Sequence, residues 1–578
     1  MSKTTFDWKI GGPAGYGIKS VGTMFARALM RQGLYVFAYD EYPSLIRGGH
    51  NSYEVTVSPE SLHSTRRPVS LLVCLDQMTF DEHRHEVAED GAALVNQGQV
   101  TASDNELPGN ANVYAIPLDE IVVSLKGEKV MRNMVALGAS FGLLGGDFAA
   151  LKEMIELTFE KKGKEIELNV QLAKAGFDYV AQHIQHEFSY RIKPQKNPGR
   201  MFMGGNEGIS WGAIKAGCKL YAAYPMTPAS SILHNLATLA REYALVVKHC
   251  EDEISAINTA IGAGYAGIRA MTGTSGGGFS LMSEAYGMAA EMEIPVVLVN
   301  ATRPGPSTGM PTWTGQGDLR FVLHSSQDEF PRFVLAPGSV EQCFEMTQVA
   351  FDLAERYQTP VVILTDKELA ESYLSIDGLD TKSRRLDRGQ VVGAGELKAG
   401  EPFRRYRVDV ADGVSPRTIP GTEYGMHVAN SDEHNEVGFS EEGSDMRVKQ
   451  MDKRFRKLDD AQRHIPQPEL EGERHADITI VSWGSTRGAI LEAMKDLARQ
   501  GMKTNFLQIQ YISPLPVQRI KEVFGKAKKV VVIEGNKLGQ LAGWIREQTG
   551  LTPDYKILKY DGRPFFPDEL VSAIKDLK

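Results

Sequence analysis

Three short segments carry side chains suited to handling a small acidic substrate. The first is Tyr224-Pro225-Met226-Thr227-Pro228-Ala229-Ser230-Ser231. Proline fixes φ and removes a backbone donor, so Pro225 and Pro228 break the preceding apolar run and hold the Thr227 hydroxyl on a stiff corner. The second is Glu251-Asp252-Glu253, followed by Ile254, Ile257 and Ile261 on one helical face. Acids are favoured at a helix start by the dipole, so all three read as capping groups unless one of them is a buried acid with a task. The third is Thr302-Arg303-Pro304-Gly305-Pro306-Ser307-Thr308-Gly309-Met310-Pro311-Thr312. Arg303 offers a planar fork that matches a carboxylate, with Thr227 and Thr312 able to donate from flanking corners. On residue types alone, Arg303 pairing with an internal acid and the threonines capping turns is the competing reading.

Each corner follows a short apolar run. Such runs centre on Leu220, Val246, Ala270, Val296, Phe333 and Val361, with helical periods between them. That alternation predicts a mostly parallel sheet covered on both faces. Ligands bind such sheets outside the strand ends, where these corners fall. A chain of 578 residues is too long for one core, and about three domains are expected. We expect an α/β domain over 1–190, a proline-bearing linker over 187–200, a second α/β domain over 201–380, an irregular connector over 381–470 and a last α/β domain over 471–578. The connector's aromatics and prolines are expected to wrap a neighbouring subunit. In the last domain, runs at 477–483, 503–509 and 529–534 predict strands, with Gly484 and Gly535 opening the turns that follow.

At the N-terminus, Gly11-Gly12-Pro13-Ala14-Gly15-Tyr16-Gly17, a helical period and a second apolar run ending near Asp40 approximate a dinucleotide fingerprint, with altered glycine spacing. A tight strand-to-helix turn and a phosphate held at the helix N-terminus are both compatible with it. The net charge of −9 argues against nucleic acid as a main partner. No apolar run would span a bilayer, and the first seven residues lack the apolar core of a signal peptide. Cys74, Cys218, Cys250 and Cys343 are far apart, without metal-ligand or redox spacing. Free thiols in a reducing cytoplasm are expected, with no iron–sulfur cluster on this chain.

The sequence resembles the alpha subunit of the 2-oxoacid:ferredoxin oxidoreductases. The family's signatures look like YPxTPSS, EDExxAIN, TSGGG and RPGPSTGxPT. Here they are residues 224–231 (Ala229 where serine is usual), 251–258, Thr274-Ser275-Gly276-Gly277-Gly278 and 303–312, in one order. The whole length resembles the form with an N-terminally fused gamma domain, and is most like the 2-oxoglutarate enzymes. The resemblance implies three α/β domains. The middle one would hold the aminopyrimidine half of thiamine diphosphate, and the last would be like a transketolase C-terminal domain. It implies that Glu253 meets the cofactor's N1′, beside Tyr224 and Pro225. It implies that Thr227, Arg303 and Thr312 contact the substrate. It also implies that Arg47, Gly48 and Gly49, within Pro43-Ser44-Leu45-Ile46-Arg47-Gly48-Gly49-His50, meet coenzyme A. Trp313 and Gly315 stand where Arg and Glu are usual in the next motif, which bears on substrate preference.

No GDG…N segment for Mg²⁺ and diphosphate is present, and no cluster cysteines. In the family both belong to a beta subunit, so the resemblance implies half an active site, in an αβ dimer or (αβ)₂ with [4Fe-4S] on the partner. The implied reaction is CoA-dependent oxidative decarboxylation of 2-oxoglutarate to succinyl-CoA with reduction of ferredoxin, or its reverse. The alternatives are pyruvate or a branched-chain 2-oxoacid as substrate, or a dinucleotide-binding dehydrogenase built on Gly12 to Gly17 and Asp40.

Overall fold

The computed structural model describes residues 3–45, 48–160, 163, 165–184, 188–382 and 385–577. It holds three sheets, each flanked by helices. The first has eight strands in the spatial order Asn112–Ile116, Val87–Asn96, Val69–Cys74, Phe6–Pro13, His50–Ser58, Tyr35–Glu41, Tyr373–Ile376 and Met201–Gly204. Apolar side chains on both faces of Phe6–Pro13 are buried. Helix Ile18–Arg31 covers one face with Val21, Phe25 and Leu29 at helical spacing, and Phe25 stacks on Trp8 with ring centroids 4.2 Å apart.

The dinucleotide reading fails on this topology. Such a unit needs its first two strands to be direct neighbours in the sheet, parallel across a helical crossover. Here Phe6–Pro13 and Tyr35–Glu41 run parallel to each other, but His50–Ser58 lies between them, antiparallel to both. Nor is Asp40 free for a ribose. It is buried, ion-paired to Lys19 at 2.7 Å and to Lys367 at 3.4 Å. Burial alone would raise its pKa, but the two ammonium groups prevail and hold it below the usual carboxylate range.

The second sheet runs Tyr511–Ser513, Phe333–Leu335, Pro360–Asp366, Val296–Thr302, Ala270–Thr274, Leu220–Ala223 and Val246–His249. All six strands expected between 201 and 380 are present and mutually parallel. Tyr511–Ser513, from the C-terminal part, closes one edge antiparallel. Met201–Gly204 and Tyr373–Ile376, from the two ends of this stretch, instead pair with each other and extend the first sheet. The third sheet is Leu470–Gly472, Thr504–Gln508, Ile478–Ser482, Val530–Glu534 and Tyr555–Leu558.

The connector is less irregular than expected and packs on its own chain. It contains a 21-residue helix, Ser444–His464. Apolar periodicity could not disclose this helix, because its buried positions are Gln450, Lys453, Arg454, Lys457, Asp460 and Ala461. Lys453 and Lys457 both reach the carboxylate of Glu293, the latter at 2.7 Å, and all three are buried. Arg454 meets Glu291 at 2.9 Å and Glu433 at 2.7 Å. Arg417 pairs with Glu355, and Tyr406 is fully buried. All four cysteines are free and buried. Among the described residues no helix is long and apolar enough to cross a membrane.

Candidate active site

The three chemistry-bearing corners lie at the C-terminal ends of neighbouring parallel strands. Residues 224–229 follow Leu220–Ala223, and residues 303–312 follow Val296–Thr302, with Ala270–Thr274 between these two strands. Glu253 follows the edge strand Val246–His249 and opens helix Glu253–Tyr265. The acids there divide as capping logic requires. Asp252 is the N-cap and accepts from the Ser255 backbone N–H at 2.8 Å, and Glu251 is exposed. Glu253 alone is buried, at 3% exposure, and its Oε1 has no hydrogen-bond partner. A buried carboxylate oxygen without a donor is costly unless a ligand completes it.

Burial pushes the Glu253 carboxyl above the usual carboxylate range, Asp252 adds to this, and its own backbone N–H opposes. Gly278, in the first turn of helix Gly276–Glu291, packs directly against it. A Cβ at Gly278 would lie 2.6 Å from Glu253 Oε1 and 2.0 Å from the Thr274 hydroxyl oxygen. Gly278 of the TSGGG motif therefore lets the helix start close over the acid as a cradle.

Arg303 Nη1 donates to the Thr227 carbonyl at 2.7 Å, so these two expected site residues meet through the main chain. Among the described residues Arg303 makes no salt bridge within 4 Å, and the rest of its fork is left to other acceptors. Burial lowers its pKa and Asp318 opposes that. Asp318 is itself pushed up by burial, against the opposing effects of Arg303 and an Asn300 hydrogen bond. It packs where a Cβ on Gly276 would be 2.5 Å from its Oδ2. The Thr227 corner is pinned from below by Asn206, whose amide donates to the Pro228 carbonyl at 2.8 Å and to Ser231 Oγ at 2.7 Å. Tyr224 is 39% exposed at the rim, its ring 6.3 Å from that of His249, and Pro225 is half-buried beside it.

Thr312 faces the N-terminal unit. It is buried, and its hydroxyl donates to the Tyr42 carbonyl of the N-terminal unit at 2.5 Å. Short side chains on corners reach only their nearest acceptor, and the N-terminal loop supplies it. Thr312 thus brings residues 303–312 against the loop that carries Gly48 and Gly49. Arg47 lies outside the described residues. Gly48 and Gly49 both have positive φ, Gly49 accepts from the Ala14 backbone N–H at 3.0 Å, and no atom lies within 4 Å of where a Gly48 Cβ would be.

The C-terminal unit closes the other side. Gln316 is buried between units: its amide donates to the Trp483 carbonyl at 3.1 Å, and its carbonyl oxygen accepts from Gly535 N–H at 2.9 Å. Arg563 stacks over Trp313, 3.3 Å from the ring centroid. Sequence reasoning did not single out Asn206, Asp318, Gln316 or Arg563 for these roles. Only the residues around Gln316 and Asp318 carried a signal, as a motif following the arginine loop.

Residues 211–453 match the family model described as pyruvate flavodoxin/ferredoxin oxidoreductase, thiamine diphosphate-binding. Residues 7–179 match pyruvate ferredoxin/flavodoxin oxidoreductase, and residues 476–568 match pyruvate:ferredoxin oxidoreductase core domain II. The chain is 32% identical to the 2-oxoacid:ferredoxin oxidoreductase subunit alpha of Saccharolobus solfataricus, over 98% of this chain and 97% of that one. It belongs to this family of alpha subunits. It is 29% identical to the 2-oxoglutarate oxidoreductase subunit KorA of Mycobacterium tuberculosis, covering 98% and 90%. The solved 2-oxoglutarate:ferredoxin oxidoreductase of Magnetococcus marinus, with 2-oxoglutarate, coenzyme A and succinyl-CoA bound, superposes with a TM-score of 0.93 at 31% identity, over 99% of both chains. The protein is thus an oxidoreductase subunit of the 2-oxoacid:ferredoxin class.

Proposed function

We propose that this chain is the alpha half of a 2-oxoglutarate:ferredoxin oxidoreductase that converts 2-oxoglutarate and coenzyme A to succinyl-CoA and carbon dioxide, passing two electrons to ferredoxin. The observation that carries the reading is the unpartnered Oε1 of Glu253 in the Gly278 cradle. Thiamine diphosphate, when bound, supplies the electron sink that cleavage beside a carbonyl requires. The residues here fit it: burial raises the pKa of the Glu253 carboxyl, which favours sharing a proton with a weakly basic ring nitrogen, and its Oε1 has no hydrogen-bond partner in the chain.

Arg303 binds the 2-oxoacid carboxylate with the part of its fork not spent on Thr227, and the Thr227–Pro228 corner fixes the direction of that fork. Gly48 and Gly49 let the backbone approach the coenzyme A phosphates, on a loop that Thr312 ties to the carboxylate side. The choice of 2-oxoglutarate rests on full-length similarity to the Magnetococcus enzyme solved with that substrate. The Mg²⁺, diphosphate and [4Fe-4S] positions fall to a beta subunit, in an αβ or (αβ)₂ assembly. The domain organisation 1–190, 201–380, 381–470 and 471–578 is retained as a functional division, although two strands of the second stretch complete the first sheet.

The test is viologen reduction by the chain co-expressed with its partner, with 2-oxoglutarate, pyruvate and 2-oxoisovalerate compared as kcat/KM. The expected result is CoA-dependent turnover with 2-oxoglutarate favoured at least tenfold. Equal or greater efficiency with pyruvate would overturn the substrate assignment.

A further inference from the structure

A second constellation of ligating side chains lies in the N-terminal unit. His50 opens strand His50–Ser58, directly after Gly48 and Gly49. Glu82 and His83 end helix Gln77–His83. The two imidazoles face each other, Nε2 to Nε2, at 2.9 Å, and a Glu82 carboxylate oxygen lies 3.7 Å from His50 Nε2. These three ligand atoms fall within 4.8 Å of one another. We propose that His50, His83 and Glu82 form a site for a divalent borderline transition cation of the zinc class, with one coordination position left open.

The surroundings are those of a metal ligand set. His83 presents its other nitrogen, Nδ1, to Glu86 at 3.1 Å, and Glu86 is held by Lys9 at 2.7 Å. A carboxylate only accepts, so Nδ1 carries the proton and His83 Nε2 is left as a lone pair aimed at His50. This carboxylate–histidine arrangement fixes tautomer and ring orientation, as in second shells of zinc sites. His83 is 7% exposed, so the pair is shielded on that side, while Glu82 is exposed and free to swing in.

Two further features build the position. Gly11 makes room for the His50 ring, since a Cβ there would stand 2.7 Å from His50 Cε1. Asp76 caps the helix carrying the other two ligands, accepting from Thr79 N–H at 3.0 Å and from its hydroxyl at 2.6 Å. Zinc–nitrogen bonds of 2.0–2.1 Å in a tetrahedron set ligand atoms about 3.3 Å apart, so the two rings need part by only about 0.4 Å. The Glu82 oxygen needs to close on His50 Nε2 by a similar distance. Without a cation, one ring must donate to the other, and His50 Nδ1, which is buried, has no partner at all. A cation here would fasten the first residue after the Gly48–Gly49 loop to the helix beneath it.

The test uses the assembled enzyme, purified without chelators. Zinc per chain is measured by elemental analysis, and ligation by zinc-edge X-ray absorption, which is blind to iron. About one zinc per chain is expected, bound by two imidazoles and oxygen with no sulfur. After chelation, titration with Zn²⁺ alone should restore one saturable site. His50→Gln with His83→Gln should abolish it. Because that double variant alters buried groups, Glu82→Gln is measured beside it: the exposed change should weaken Zn²⁺ at least about tenfold while leaving the melting temperature of the metal-free protein unchanged. Zinc retained by the double variant, sulfur in its coordination shell, or no stoichiometric Zn²⁺ binding by the chelated enzyme would each overturn the site.

Discussion

Glu253 is placed where its ionised form is disfavoured, and this has opposite consequences for activity and stability. As an acid with a raised pKa, it keeps more protons folded than unfolded, so it costs stability above the unfolded glutamate pKa and costs nothing below it. Glu253→Gln is therefore expected to raise the melting temperature at neutral pH, with the gain vanishing as pH falls below the ordinary glutamate range. Scanning calorimetry across pH checks this. The same variant should lose about 10²–10⁴ in kcat with assembly intact, the usual contribution of a positioned acid–base group. Turnover at the wild-type rate would remove Glu253 from the chemistry. Arg303→Met removes a charged donor to a carboxylate, worth about 1.5–3 kcal/mol, so kcat/KM for the 2-oxoacid should fall by roughly 10–150-fold. Steady-state kinetics reads this, and an unchanged value would assign the carboxylate to another cation.

At the scale of elements, the helix Gly276–Glu291 links the acid to the connector. Its first turn packs on the acid, so Gly278→Ala, which pushes Glu253 aside, should abolish thiamine-dependent turnover while near-normal folding is seen by circular dichroism; activity retained would mean that the placement of Glu253 is not needed. Just beyond its last turn, Glu293 accepts both Lys453 and Lys457 in a fully buried triad. Burial would raise the Glu293 pKa, but the two lysines outweigh it and depress it strongly. Burial lowers the Lys453 pKa to about 7. Removing one partner of a buried pair strands the other charge, so Glu293→Ala should cost about 3–5 kcal/mol in urea unfolding. This helix contact was illegible in the sequence because helix Ser444–His464 turns lysine and arginine inward, where apolar periodicity has nothing to report. The inner parallel strands of the central sheet were legible for the converse reason: buried on both faces, they read as plain apolar runs, while the exposed edge strand Val246–His249 was marked by its valines.

Across the whole molecule, the candidate site gathers loops from all three sheets. Thr312 meets Tyr42 of the first, Arg303 and Thr227 end strands of the second, and Gly535 and Trp483 of the third grip Gln316. The individual corners were readable from proline, glycine and acid spacing. Which corner meets which was not, because that depends on strand order: Leu220–Ala223 and Val296–Thr302 flank Ala270–Thr274 only in the folded sheet. The same limit explains Asp40, which fits a ribose acid by spacing but is claimed by Lys367 from a unit more than three hundred residues away. The proposed function makes this chain half of a site completed by a beta subunit, and isolation of the native complex tests that directly. Thiamine diphosphate content and viologen reduction dependent on 2-oxoglutarate and coenzyme A would be measured before subunit separation, after it, and after recombination. The expected result is that cofactor and activity are lost together on separation and return together on recombination. Thiamine diphosphate and turnover retained by this chain alone, or a complex containing neither, would contradict it.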